Sequence, residues 1–378
     1  MIPKLRFPEF KGEWKRFLLK DIVEIKAGGD LPPFWSKEKN DEFKFPIFSN
    51  SLENYGLYGY SKLPKITAKE SVTVTGRGSV GIPVFRKGAY TPIVRLLTLI
   101  PKNSCVTDCK FLELAIQSIH IFIESTGVPQ LTSPQIGAYR IVLTEYKEQQ
   151  KIASLFCAVE QKINLLTKKK EALETYKKGL MQKIFSQEFS NERNMLLSQI
   201  CEIYDGTHQT PKYVDEGVPF YSVEHVSKDD FSKTKFITEE VFVKECQRVS
   251  IEQGDILMTR IGSVGVPKFI DWNIRASFYV SLALLKPKIE GINMEWLSYY
   301  IQSSDIQRDI WRLTIHVAFP KKINLGDMGK IRVKLPSKAV QESNYVILKS
   351  LDQKINLIIK KIKASEELKK GLLQQMFV

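Results

Sequence analysis

Two stretches of the chain carry a helical pattern of apolar positions over an unusual length. Between Glu148 and Phe185 there is no proline and one glycine, Gly179. Apolar residues recur there at Ile152, Leu155, Phe156, Val159, Ile163, Leu166, Leu173, Leu180 and Ile184, mostly three, four or seven apart. Between Gln341 and Phe377 the pattern returns at Val346, Leu348, Leu351, Ile355, Ile358, Ile362, Leu368 and Leu372. Each stretch predicts one helix of about 36–40 residues, about 55–60 Å long, with a single apolar stripe and lysine-rich faces. A helix of that kind needs a mate, and the other copy is the nearest one. Elsewhere the pattern changes period. Short apolar runs at Phe45–Ser49, Val72–Thr75, Ile82–Phe85 and Val94–Ile100 are broken by Gly, Pro and Asn and read as strands, with a helix over Phe111–Glu124.

The two helical stretches are copies. Residues 161–185 and 353–377 align without a gap at an offset of 192 residues, with 15 of 25 positions identical. That offset is about half of the 378-residue chain, so the whole protein reads as a tandem duplication. The bodies preceding the helices keep weaker matches. RFLLKDIVEIKAGG parallels MLLSQICEIYDGTH, and TGRGSVGIP at 75–83 parallels TRIGSVGVP at 259–267. The predicted organisation is a mixed α/β body over 1–145, a helix over 146–190, a second body over 191–337 and a second helix over 338–378, with the polar stretch Gln187–Asn194 as the connector between the first helix and the second body. The pattern does not fix the sense in which the helices pair. Topology favours an antiparallel coiled coil with internal pseudo-two-fold symmetry, which sets two unlike readers apart by a fixed gap.

The formal net charge of +14 supplies a long-range positive field suited to a polyanion. Five cysteines, odd in number and irregular in spacing, form neither a disulfide framework nor a zinc pattern. The start has no signal-peptide core, and no apolar run reaches membrane-spanning length, so a cytoplasmic protein without a membrane partner is expected.

Catalytic motifs are sparse. GRGSVG at 76–81 fits a dinucleotide fingerprint formally, but IPVF follows it where a helix is required, so the segment reads as a glycine hairpin. DLPPFW at 30–35 is interrupted by Leu31 as an adenine-methyltransferase motif and reads as a surface loop. There is no phosphate-binding loop of an ATPase and no clustered metal-ligand pattern, so no metal site is predicted. His120 falls on a predicted helix and reads as structural. The candidates for facing DNA are donors in glycine-bearing loops: Arg77 and Arg260 beside the two matched turns, Gln130, Thr132, Ser133 and Gln135, His208, His316, and Arg95, Arg275, Lys321 and Lys322. Glutamine suits adenine, and arginine or lysine suits guanine or phosphate. Sequence does not sort base readers from phosphate holders. The residues alone also leave open a stand-alone nuclease or methyltransferase, and a coiled-coil scaffold.

Taken together, these segments resemble the specificity subunit of type I restriction-modification systems over essentially the whole chain. The resemblance rests on the opening PKLRFPEFKGEWKRFLLKDIVEIKAGG, on VTVTGRGSVG and ILMTRIGSVG, on STGVPQLTSPQIGAYRIVL, and on the helices EQQKIASLFCAVEQKINLLTKKKEAL and QESNYVILKSLDQKINLIIKKIK. It implies two target-recognition domains reading the halves of a bipartite asymmetric site on double-stranded DNA, joined by an antiparallel helix pair that sets the unread gap. It implies assembly with two modification subunits, which use S-adenosylmethionine to methylate adenine N6, and two restriction subunits, which use ATP and magnesium. The chain itself would hold no cofactor and do no chemistry. RLTIHVAFPKKINLGDM in the second half departs from STGVPQLTSPQIGAY in the first, so this loop need not work the same way twice.

Overall fold

The computed structural model describes residues 2–119, 121, 130–187 and 192–377. The chain divides into two compact units, Met1–Lys168 with Lys360–Val378, and Lys169–Ile359. In chain order the first body holds β1 (Lys15–Leu18), α1 (Leu19–Ile22), β2 (Val23–Ala27), β3 (Trp35–Ser36), β4 (Phe45–Phe48), β5 (Leu57–Ser61), β6 (Glu70–Val74), β7 (Pro83–Lys87), β8 (Thr91–Pro92), β9 (Leu97–Pro101), α2 (Cys109–Ser118), α3 (Ser133–Gly137) and β10 (Arg140–Leu143). The long helix α4 (Tyr146–Phe185) follows. The second body holds β11 (Arg193–Leu196), α5 (Leu197–Ile200), β12 (Cys201–Asp205), β13 (Val218–Tyr221), α6 (Val223–Lys228), β14 (Lys235–Ile237), α7 (Glu239–Cys246), β15 (Ile256–Thr259), β16 (Pro267–Phe269), β17 (Ser277–Phe278), β18 (Leu282–Pro287), α8 (Met294–Ile301), α9 (Ser304–Leu313), α10 (Leu325–Met328) and β19 (Arg332–Leu335), and α11 (Lys338–Met376) closes the chain.

Both bodies are mixed α/β and share one plan. Each opens and closes on the same antiparallel pair, β1 with β10 (Lys15 opposite Leu143) and β11 with β19 (Arg193 opposite Leu335), so a long helix leaves each body beside the point of entry. Each has a four-stranded sheet of matching order, β2-β9-β6-β7 and β12-β18-β15-β16. Each also carries one parallel pairing in a second sheet, Ile47 opposite Thr91 and Phe220 opposite Ser277. The helix packed on the four-stranded sheet is capped alike in both. The Asp108 carboxylate accepts from the Phe111 N–H, and the Asn293 side chain accepts from the Trp296 N–H.

Two boundaries differ from the sequence pattern. The run beginning at Val94 enters β9 only at Leu97, because Val94 and Arg95 take positive φ angles of 52° and 59°. The helix over Phe111–Glu124 stops at Ser118, where Ile119 is extended. His120 and residues 122–124 of that stretch lie outside the described residues, as do 188–191 of the connector.

Within the first unit, the start of α4 packs on the end of α11. Ile152 and Phe156 share a core with Met376 and Phe377, whose ring stands 5.2 Å from Phe111 and 5.9 Å from Trp14. Within the second unit the roles reverse. Ile184 and Phe185 of α4 share a core with Leu348, and Phe185 lies 5.2 Å from Tyr300. Residue numbers rise along one helix as they fall along the other in each unit, so both segments pair antiparallel. Two ion pairs fix the register: Glu160 with Lys369 at 2.7 Å in the first unit, and Asp352 with Lys177 at 2.6 Å in the second. The two acids are 192 residues apart, as are the two lysines, so each acid meets the lysine of the other repeat.

The seam follows a heptad spacing of alternating threes and fours. On α11 it runs through Leu348, Leu351, Ile355, Ile358, Ile362, Ser365, Lys369, Leu372 and Met376. On α4 it runs through Ile152, Phe156, Val159, Ile163, Leu166, Lys170, Leu173, Lys177, Leu180 and Ile184, with Leu155 packing beside it. Leu368 is a correction: it is 53% exposed, while Ser365 is 5% exposed and occupies the stripe, its hydroxyl donating to the Lys361 carbonyl at 2.8 Å. Val346 likewise faces outward.

Candidate nucleic-acid interface

In the first unit the turn after β6 is the centre of a small exposed constellation. The Gly76 N–H donates to Asn50 Oδ1 at 2.7 Å, and its carbonyl accepts from the Leu131 N–H at 2.9 Å. A Cβ at Gly76 would stand 2.7 Å from the Arg95 carbonyl oxygen, so only glycine admits this approach. Asn50 Nδ2 in turn donates to the Val94 carbonyl at 2.6 Å. The left-handed Val94–Arg95 step is held by N–H donation to the carbonyls of Gly29 and Gly28. A β-branched residue at positive φ is strained, and such strain persists only where the surroundings over-determine it. The result brings Arg77, Arg95 and Gln130 to one edge. Arg77 is exposed, bridges to Gln130 through the backbone, and donates from Nη2 to Gln130 Oε1 at 3.3 Å.

Thr132 and Gln135 play a different part. They form a capping box at the start of α3: Gln135 Oε1 accepts from the Thr132 N–H and hydroxyl, each at 2.8 Å. Their side-chain oxygens are committed to the helix start, and Ser133 begins that helix. The part of this loop from Ser125 to Pro129 lies outside the described residues.

The second unit builds the same edge from other side chains. Strand alternation decides the difference. TGRGSVG and TRIGSVG place Arg260 at the position of Gly76 and Ile261 at that of Arg77. Arg260 is therefore a correction to the expectation of a surface contact. It is 8% exposed, and its guanidinium donates to the carbonyls of Ile323 (3.3 Å) and Val280 (3.2 Å), with Asp205 at 3.7 Å. Burial lowers its pKa against the opposing pull of Asp205. Asp205 also accepts from His208 Nε2 at 2.6 Å and Arg248 Nη2 at 2.7 Å. Burial pushes that carboxyl up, but these hydrogen bonds outweigh it and hold it below its ordinary value. His208 itself is exposed.

Lys321 and Lys322 take the place of the Gln130 segment. The Lys321 carbonyl accepts from the Gly262 N–H at 2.8 Å, and Lys322 bridges Ile261 as Gln130 bridges Arg77. Both lysine side chains are exposed, and among the described residues neither pairs with an acid. His316 lies in the same loop, its Nε2 on the Trp311 carbonyl at 2.8 Å and its ring 4.7 Å from that indole. Arg275 is not part of the edge contacts. It pairs with Glu239 at the start of α7 and lies 4.7 Å over the Phe242 ring.

The loop and the end of α9 before it also hold residues that the sequence reading passed over. Trp311 is 65% exposed, and Val317 and Phe319 are fully so, at 97% and 104% of the reference area. The signal that would have found them is an apolar run, VAF, inside a loop otherwise made of polar and basic residues.

Chemically the two edges present donors, cations and apolar tips. Among the described residues no three His, Cys, Asp or Glu side chains gather as metal ligands. No helix there is long and apolar enough to cross a membrane.

Comparison with known proteins gives the same reading of the whole chain. The family profile described as the type I restriction modification DNA specificity domain matches twice, over residues 11–175 and 192–368. A putative type I specificity subunit of Mycoplasma pneumoniae is 38% identical over 143 residues, 38% of this chain and 39% of the relative. The matched stretch thus spans about two-fifths of that relative's length. A type I restriction enzyme specificity subunit of Methanocaldococcus jannaschii is 25% identical over 97% of this chain and 91% of its own. Among solved structures, the S subunit of a type I restriction-modification system from M. genitalium superposes with a TM-score of 0.67 at 18% identity, covering 100% of this chain and 99% of that one. With the domain matched once in each half, the chain belongs to the type I restriction-modification DNA specificity family.

Proposed function

We propose that this chain reads a bipartite, asymmetric sequence on double-stranded DNA, one half with each unit's edge, and is non-catalytic itself. The observation that carries the reading is a single edge built twice and furnished differently. The same strand, glycine turn and bridging segment present Arg77, Arg95 and Gln130 in one unit, and His208, Lys321 and Lys322 with an apolar tip in the other. Unlike readers on a duplicated frame suit unlike half-targets. In this reading the two long helices act as the spacer for unread base pairs.

The helix surface supports partners in two copies. Leu165 and Leu357 occupy equivalent positions 192 residues apart and both face outward, and the same holds for Tyr176 and Leu368. An apolar pair offered twice suits two identical modification subunits. Those subunits use S-adenosylmethionine to methylate adenine N6. Two restriction subunits, with ATP and magnesium, complete the assembly in the cytoplasm. This chain directs both activities to the site.

The test is genome-wide adenine methylation in cells carrying the cognate modification subunit, with and without this chain. A two-part motif that depends on the chain is the expected result. No chain-dependent motif, with the partner active and the complex assembled, would overturn the reading.

A further inference from the structure

The segment from Ile315 to Lys322 is a hairpin with a firm base and a bare tip. At its base the Ile315 N–H donates to the Lys322 carbonyl at 2.7 Å, and the Gly262 N–H to Lys321 at 2.8 Å. The Ile323 N–H donates to the Arg260 carbonyl at 2.9 Å, while the Arg260 guanidinium returns a bond to the Ile323 carbonyl. On the approach to the base, the Thr314 hydroxyl donates to the Ile310 carbonyl at 2.7 Å. Buried Arg260 therefore serves as the anchor that holds the hairpin against the strand edge. At the tip, Val317 and Phe319 stand wholly in solvent. Exposed apolar residues scattered singly are ordinary. Two fully bare ones on an anchored hairpin, beside a mostly exposed Trp311, cost hydration that a loop of this length has polar residues enough to avoid.

The flanks say what covers the tip. Lys321 and Lys322 follow it directly, exposed and without acidic partners among the described residues. A polyanion with apolar stacked faces inside a phosphate rim matches that order of groups, and a duplex has that arrangement. We propose that Phe319, with Val317 beside it, is a wedge that enters the duplex in the half-target read by the second unit. It unstacks one base step while Lys321 and Lys322 hold the adjoining phosphates. In the first unit the aligned stretch Ser125–Pro129 has no aromatic residue, so the wedge belongs to one half-target only. This inference rests on the DNA-reading role proposed above.

The test uses the full chain assembled with its modification subunit on a duplex bearing the motif found by methylation sequencing. A single 2-aminopurine is placed in turn at each step of the second half-target, leaving the methylated adenine alone. With the native chain one position is expected to brighten on binding. Phe319→Ala abolishes that signal and weakens binding about tenfold, the scale of one lost base-step contact, while Phe319→Leu keeps most of both. An abasic site at the bright position removes the stacking cost and restores binding to Phe319→Ala. Lys321→Ala instead lowers the slope of log affinity against log salt by about 1. Unchanged fluorescence and affinity in Phe319→Ala, with its melting temperature intact, would overturn the wedge. So would loss of the modification subunit with DNA affinity preserved, which would make the tip a protein contact. If no chain-dependent motif exists, the DNA role itself fails; a clear motif with an indifferent Phe319 rejects the wedge alone.

Discussion

The helix seam and the reading edge have fared differently since the chain was duplicated. Along the seam, Glu160 with Lys369 and Asp352 with Lys177 repeat one contact in both units, and Phe185 and Phe377 fill equivalent places in the two cores. At the edge, the same glycine turn GSVG survives while the residue two positions before it is Gly76 in one unit and Arg260 in the other. The seam must fit a second copy of itself, so a change on one helix needs a matching change on the other. The edge must fit only its own outside partner. A duplicated frame therefore holds its seam and releases its edge.

The largest test of that contrast is at Arg260, where the released position has turned inward. Arg260→Ala leaves the carbonyls of Val280 and Ile323 without their guanidinium donor and removes a cation from beside Asp205. A loss of about 2–3 kcal/mol in the stability of the second unit is expected. Urea denaturation followed by a probe within that unit would measure it. A stable variant that loses only DNA affinity would return Arg260 to the surface role that its sequence position suggested.

At the equivalent edge of the first unit, Arg77→Ala is expected to do the opposite. Among the described residues its side chain makes one hydrogen bond, exposed, to Gln130, so stability should change by no more than about 0.5 kcal/mol. Target binding should fall about tenfold, about 1.4 kcal/mol, with preference relaxed at a single base position. Competition binding against a panel of single-base variants reads both effects. An equal loss on every sequence would reassign Arg77 from base to phosphate.

The frame was legible in the sequence to an unusual degree, because duplication prints each signal twice. The offset of 192 residues named both helices, and the matched turns located both edges. What was not legible followed from choosing residues by type. On α11 a hydrophobic residue, Leu368, was preferred over Ser365 and Lys369, although the three-four spacing continued through the latter two. A small serine can sit in the seam when its hydroxyl returns to its own helix, as Ser365 does. Arg77 and Arg260 were equated by their nearness to the turn, yet they lie one position apart in the aligned turns, and one position reverses the face. Thr132 and Gln135 carried a readable capping signature three residues apart. The apolar run VAF marked the tip at Phe319, but its full exposure is set by what the rest of the fold leaves uncovered.

The smallest effect sharpens the seam side of the comparison. Glu160 and Asp352 are equivalent, but their surroundings differ at one helix position: Lys110 of α2 donates to Glu160 at 2.7 Å, whereas α8 has Glu295 there, turned to Lys349. Asp352 takes the Tyr299 hydroxyl instead, at 2.7 Å. Burial pushes Glu160 up, but the hydrogen bonds from Lys110 and Lys369 outweigh it and hold its pKa below 4.5. A carboxyl depressed in the folded state contributes stability that is present above its unfolded pKa and lost as pH falls through the folded value. Glu160→Gln copies the shape of the protonated form without its charge. The native chain should exceed this variant by on the order of 1 kcal/mol at pH 7, and the difference should shrink steadily as pH falls below about 4.5. Urea midpoints for the first unit at several pH values would measure it. A difference that stays constant with pH would mean that Glu160 holds the seam by packing and hydrogen-bond geometry rather than by charge.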